Sequence, residues 1–77
     1  MDRPSYDEFY NEVKRYFWLM WPRLPEEEVD RYLKEEEKYV KTAYFDNLEE
    51  FDSGEINRRT FLIGGASSIA NCLQLMY

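Results

Sequence analysis

Two prolines and one serine–glycine turn cut this 77-residue chain into three stretches, and each stretch carries apolar residues at helical spacing. Pro22 and Pro25 end a helix because proline lacks the backbone donor and biases the residue before it away from helix. Ser53-Gly54 supplies the second stop. The first stretch opens on Ser5 and Glu8, the spacing of a capping box in which hydroxyl and carboxylate each satisfy a free backbone N–H. Tyr6, Phe9, Tyr10, Val13, Phe17, Met20 and Trp21 then recur every three or four residues, which predicts an amphipathic helix over 5–21.

Pro25 suits the first position of a second helix, where Glu26, Glu27 and Glu28 are favoured by the helix dipole. Val29, Leu33, Val40, Tyr44, Leu48 and Phe51 hold one phase at about 100° per residue, so one long helix over 25–52 is expected. Tyr39 to Phe45 is rich in strand-favouring residues, which makes a bend or break near Lys41-Thr42 the competing reading. Asp52 with Glu55, or Asn57, can cap a third helix over 56–76. From Thr60 onward no residue is charged, and Gly64, Gly65, Ala66, Ser67, Ser68 and Ala70 keep the helix thin. Such a helix is expected at the centre, with neighbours on more than one side. The expected fold is therefore all-α, a compact three-helix bundle forming a single helical domain over 1–77. Its expected core is Phe9, Val13, Phe17, Met20, Val29, Leu33, Val40, Leu48, Phe51, Leu62, Ile69, Leu73 and Met76, with Cys72 as a small buried hydrophobe.

Composition excludes several function classes. An apolar fraction of 44%, with 18% aromatic, is too hydrophobic for a disordered acidic tail. A net charge of −6 argues against phosphate neutralisation, so no direct nucleic-acid contact is expected. The absence of histidine removes the usual general base and commonest metal ligand, and with them a di-iron carboxylate bundle. An EF-hand register on Gly54 puts Phe51 and Thr60 where carboxylates are needed, and Gly64-Gly65 lacks the lysine of a phosphate loop. No enzyme activity, cofactor or metal is expected. A single cysteine fits a reducing, cytoplasmic setting. Arg58-Arg59-Thr60-Phe61-Leu62 echoes a twin-arginine export signal, but such signals are amino-terminal, and no secretory signal is expected. Thr60, Ser67, Ser68, Asn71 and Gln74 make the uncharged stretch a poor span, so no membrane partner is expected either.

The placement of charge points toward binding. Residues 1–25 are balanced, 26–55 hold the acidic excess, and 56–77 add only Arg58 and Arg59. Glu27 with Arg31, Asp30 with Lys34 and Glu37 with Lys41 are acid-first pairs four apart, the favoured order on a solvated face. Asp46, Glu49, Glu50, Asp52 and Glu55 follow with no basic residue from Thr42 to Asn57. Acids near a helix carboxyl end oppose its dipole as well as repelling one another. An arrangement that costs stability twice implies a use, namely attraction of a basic partner surface. Trp18, Leu19, Tyr39 and Phe45 fall off the core stripes, and Trp18, Tyr39 and Phe45 are candidate interface anchors, although the proline loop competes to cover Trp18.

The expected partner-binding set is thus Phe45, Asp46, Glu49, Glu50, Asp52, Glu55, Trp18 and Tyr39. The expected function is a small acidic, non-enzymatic binding protein that occludes a basic surface on a nuclease or other nucleic-acid-handling protein. Phage-type nuclease inhibitors, anti-CRISPR proteins among them, are an analogy at the level of class. The alternative is a self-associating helical scaffold, a homodimer with no nucleic-acid-mimic role.

Overall fold

Ser5 starts the first helix as its spacing predicts. In the computed structural model, which describes residues 3–76 with side chains through Gln74, Ser5 Oγ accepts from the Glu8 N–H at 3.1 Å. Glu8 Oε1 accepts in turn from the Ser5 N–H at 3.4 Å. Four α-helices follow: α1 over Tyr6–Met20, α2 over Glu26–Glu35, α3 over Glu37–Asp52 and α4 over Ala66–Met76. A π-helical stretch, Thr60–Gly65, leads directly into α4. Asn57 Oδ1 caps that last segment by accepting from the Thr60 N–H at 2.8 Å. Gly54 makes the preceding turn at φ 86°, a conformation a side chain would strain.

The expected three helices become four because the 25–52 stretch breaks at Glu36. Lys41 and Thr42, the expected position of a break, lie inside α3. Glu36 sits at φ −99°, ψ 19°, with its N–H turned toward the carbonyls of Tyr32 and Lys34. The turn there lets Val29 and Leu33 on α2 and Val40, Tyr44, Leu48 and Phe51 on α3 all face the core. The β-branched residues near position 41 do not break α3, because Val40 is fully buried and packing outweighs propensity.

α1 is the central helix, in contact with α2, α3, the π-helical stretch and α4. This corrects the expectation that the carboxyl-terminal helix is central. α4 lies along α1 in the same direction, with Gly65 against Phe9 and Gln74 Nε2 3.4 Å from the Phe17 carbonyl. Its outer face carries Ser68, Asn71 and Cys72, all exposed. Small polar side chains meet water without charge, so an uncharged helix need not be enclosed. Cys72 is therefore exposed rather than buried.

The buried core is Phe9, Val13, Phe17, Val29, Leu33, Val40, Tyr44, Leu48, Phe51, Phe61, Ala66, Ile69, Ala70 and Leu73. Met20, expected in the core, is exposed, because α1 runs one turn past the cover that buries Phe17. Met76, also expected there, lies outside the described side chains. Leu62 is half-buried while Phe61 is fully buried, and the π-helical stretch is the cause. Its wider turn shifts the phase of the residues within it, so the sequence's α-helical wheel misplaces them. Phe61 meets Phe9 at 5.5 Å, Tyr44 at 5.7 Å and Phe51 at 6.0 Å between ring centres, each at a steep angle. Edge-to-face pairs of this kind add about 0.5–1.5 kcal/mol each beyond burial.

Two polar ties orient the helices. The Tyr44 hydroxyl donates to the Pro4 carbonyl at 2.6 Å, fastening the entry of α1 to α3. Its neighbour Tyr6 has a buried hydroxyl with no partner among the described residues, an orphan costing about 1–3 kcal/mol. Between α1 and α2, Tyr10 donates to Asp30 Oδ1 at 2.8 Å, while Lys14 Nζ lies 3.1 Å from Asp30 Oδ2 and 2.8 Å from Glu26 Oε1. The Tyr10 hydrogen bond, with Lys14 behind it, holds the Asp30 carboxyl below its ordinary range. Burial, then Asp30, pushes the Tyr10 phenol well above its own.

The two adjacent glycines have opposite environments, which sets up a direct comparison. A Cβ on Gly65 would come within 3.0 Å of Asn47 Nδ2 and 3.2 Å of Phe9 Cε1, whereas one on Gly64 meets only Thr60 Cγ2 at 3.8 Å. Gly65→Ala is expected to lower the melting temperature, the overpacking exceeding the helix-propensity gain. Gly64→Ala is expected to raise it, by up to about 1 kcal/mol in stability, measured by thermal circular dichroism. A second expectation concerns acid. Because the folded state depresses the Asp30 pKa, the contribution of that carboxylate is present above about pH 4 and is lost as pH falls through the folded value. Asp30→Asn should be less stable than wild type at pH 6, and the difference should narrow as pH falls below about 4.

Candidate functional site

α3 buries Val40, Tyr44, Leu48 and Phe51, so the opposite side of the same helix must face solvent. At about 100° per residue that outer side carries Thr42, Asp46 and Glu49, with Phe45 and Glu50 on its flanks. The structure gathers Asp46, Glu49, Glu50, Ser53 and Glu55 around one shallow, open depression. The turn at Gly54 is what folds Glu55 back beside the helix, and Ser53 Oγ donates to the Glu50 carbonyl at 2.9 Å to hold that turn. Among the described residues no basic side chain lines this depression.

Phe45 stands at the edge of this surface, 60% exposed. Its ring leans on Tyr44 at 5.2 Å and 69°, so it is braced by the core while most of its face stays open. A braced aromatic needs little ordering when a partner covers it, which is what makes such residues effective anchors.

The other expected site residues are distributed elsewhere. Asp52 belongs to the cluster in sequence but is met by Arg3, whose Nη2 lies 3.0 Å from Asp52 Oδ2. The reading that all five acids lack a partner is corrected there, since a residue far off in the chain supplies the cation. Tyr39 lies on the same helix nearly two turns before Asp46, and its hydrogen bond with the Cys72 side chain, then burial, raises its phenol above the ordinary range. It bridges α3 to α4 and does not touch the acidic depression. Trp18 is 41% exposed in the last turn of α1 and shares a shallow groove with Arg15, Leu19 and Pro22. The proline loop lies beside it without covering it. Arg3, just before α1, marks the acidic end, so Trp18 is about 20 Å away along α1 at 1.5 Å per residue.

The pairing on α2 also differs from the sequence reading. Glu37 and Lys41 pair as expected, at 3.4 Å. Arg31 instead meets Glu28, one position nearer than Glu27, and Asp30 turns inward to Tyr10 and Lys14 rather than to Lys34. Arg58 meets Glu8, which places one of the two carboxyl-terminal cations against the start of α1. Among the described residues, no group of three or more metal-ligating side chains comes together, and no helix is long and apolar enough to cross a membrane.

Comparison with protein-family models, with curated proteins and with solved structures finds no match to this chain, so its surface has to be read from its own chemistry.

If Glu49 and Glu50 oppose the α3 dipole and repel their neighbours, reversing them should stabilise the fold. Glu49→Lys with Glu50→Lys is expected to raise stability by about 0.5–1 kcal/mol, a few degrees in a domain of this size. A thermal melt at low salt checks this, and the gain should shrink in high salt.

Proposed function

We propose that this protein is a non-enzymatic binding module that occludes a basic surface on a protein partner. The observation that carries the reading is the acidic depression on α3, with four carboxylates around one hollow and a braced, exposed Phe45 at its edge. Carboxylates set at the carboxyl end of a helix cost folding energy, and a surface that costs folding energy while staying open is suited to recognition. Proteins that handle nucleic acids display basic grooves for phosphates. A compact body presenting carboxylates in such a groove competes with the phosphates, and this supports inhibition of a nuclease or a similar enzyme as the setting.

The acids would steer association, an effect screened beyond about 8 Å at physiological salt. Phe45 would limit dissociation by leaving water as the contact closes. Wild-type protein used as bait is expected to capture a basic partner that the Glu49→Lys, Glu50→Lys variant does not retain. In binding kinetics on that partner, the double reversal is expected to slow association at least tenfold and flatten its salt dependence. Phe45→Ala should speed dissociation by a similar factor, while Glu27→Gln on the far half of the acidic stretch changes neither rate. Unchanged association on reversal of Glu49 and Glu50 would sink the proposal. Sedimentation across a concentration series separates it from the scaffold alternative, which requires a dimer that survives dilution.

A further inference from the structure

The end of the molecule away from the acidic depression has a different chemistry, exposed apolar side chains beside basic ones, with Glu26, Glu27 and Glu28 next to them at the start of α2. From Val13 to Pro25 there is no acidic residue, while Lys14, Arg15 and Arg23 are basic, in a chain whose net charge is −6. Within that stretch Trp18, Leu19 and Met20 are consecutive and all exposed, Leu19 at 62%. Consecutive helical residues differ by about 100°, so these three side chains spread around the helix instead of forming one stripe. A flat protein face can cover only part of such a knob, whereas a fluid phase closes round all of it.

Against the sequence expectation of no membrane partner, we propose that the tip of α1 is an interfacial anchor for an anionic phospholipid bilayer, a role that needs no spanning helix. Tryptophan favours the headgroup level, where its ring is buried and its N–H remains wet, and leucine and methionine reach the acyl boundary. Cations one turn behind the tip meet lipid phosphates and anionic headgroups. Arg23 makes no ion pair among the described residues, and the Arg15 side chain is half exposed although it also touches Glu12. Lys14 is committed to Glu26 and Asp30, and Glu28 is drawn to Arg31, so the glutamates that open α2 are partly neutralised on their own side. A neighbouring depression carries Arg15, Arg59 and the exposed Ile63, together with Glu12 and with Arg58, which is paired to Glu8. A second copy is a poorer occupant, because a two-fold axis through the tip would bring Arg15 and Arg23 against their own equivalents. The acidic depression lies beside the start of α1, so a bilayer at the tip would leave it facing away from the lipid.

The test uses the full chain with large unilamellar vesicles of phosphatidylcholine alone and with about one-third phosphatidylglycerol, a content high enough to give a strong surface potential. Binding is read by flotation, and depth by quenching of the two tryptophans with brominated lipid. The wild-type chain is expected to float with the anionic vesicles, with quenching strongest for shallow bromines. Leu19→Glu, at an exposed position that leaves the helical circular dichroism unchanged, should reduce the bound fraction at least tenfold. Arg23→Gln should reduce affinity about fivefold, the loss of one surface cation. Phe45→Ala, at the other end, should float as wild type does. No flotation of the wild type, equal flotation with both lipid mixtures, or indifference to Leu19→Glu would overturn the proposal. So would a lipid-free dimer that Leu19→Glu converts to monomer, since the tip would then belong to a second copy.

Discussion

Phe61 is where the helices meet, and its position depends on a single wide turn of backbone. The ring enters from the π-helical stretch and touches Phe9 on α1 and both Tyr44 and Phe51 on α3. A chain of this length encloses only about 60% of its extended surface, so one central aromatic accounts for much of what holds it together. The same turn sets Gly65 between Phe9 on α1 and Asn47 on α3, and from there α4 can run along α1. Exposure of the outer side of α3 then follows, because Tyr44, Leu48 and Phe51 are committed inward to that cluster. The acidic depression is in this sense the reverse side of the core.

Much of this architecture is legible in the sequence, and the failures are physically specific. The Ser5–Glu8 box, the Asn57 cap and the proline and glycine stops act locally, within a few residues, and all are found where the pattern put them. The joint at Glu36 is different, because no glycine or proline marks it and the apolar phase runs straight through. Only the need to fit two helices against one α1 creates it. Leu62 is less buried than its expected core place because a helical wheel assumes one constant period, and the π-helical stretch departs from it. Met20 continues the stripe perfectly well; what the pattern lacks is knowledge of where cover ends. Cys72 is exposed although no charge lies around it, because serine and asparagine meet water equally well.

The site was legible in part for the same reason. That Asp46, Glu49 and Glu50 share the outside of one helix follows from spacing alone, and Glu55 joins them through a glycine turn the sequence announces. That Arg3 neutralises Asp52 does not follow, because nearly fifty residues separate them and no local rule connects the two. Tyr39 and Trp18 lie off the core stripes and are exposed, but being off a stripe does not place two residues on the same surface. Long-range charge placement is what the fold adds, and it leaves the acidic depression at one end and the exposed Trp18, Leu19 and Met20 at the other.

The π-helical stretch also sets how this chain tolerates a change of length. Losing one residue from an ordinary helix rotates everything beyond it by about 100°, which turns a buried face to solvent. A wide turn amounts to one residue more than an α-helix needs, accommodated without leaving the helical path. Between Thr60 and Gly65 the chain therefore holds a spare position, and a deletion there has regular α-helix available as its alternative. In every other helix of the protein a deletion has no such reserve, and the reading frame of the core depends on residue count.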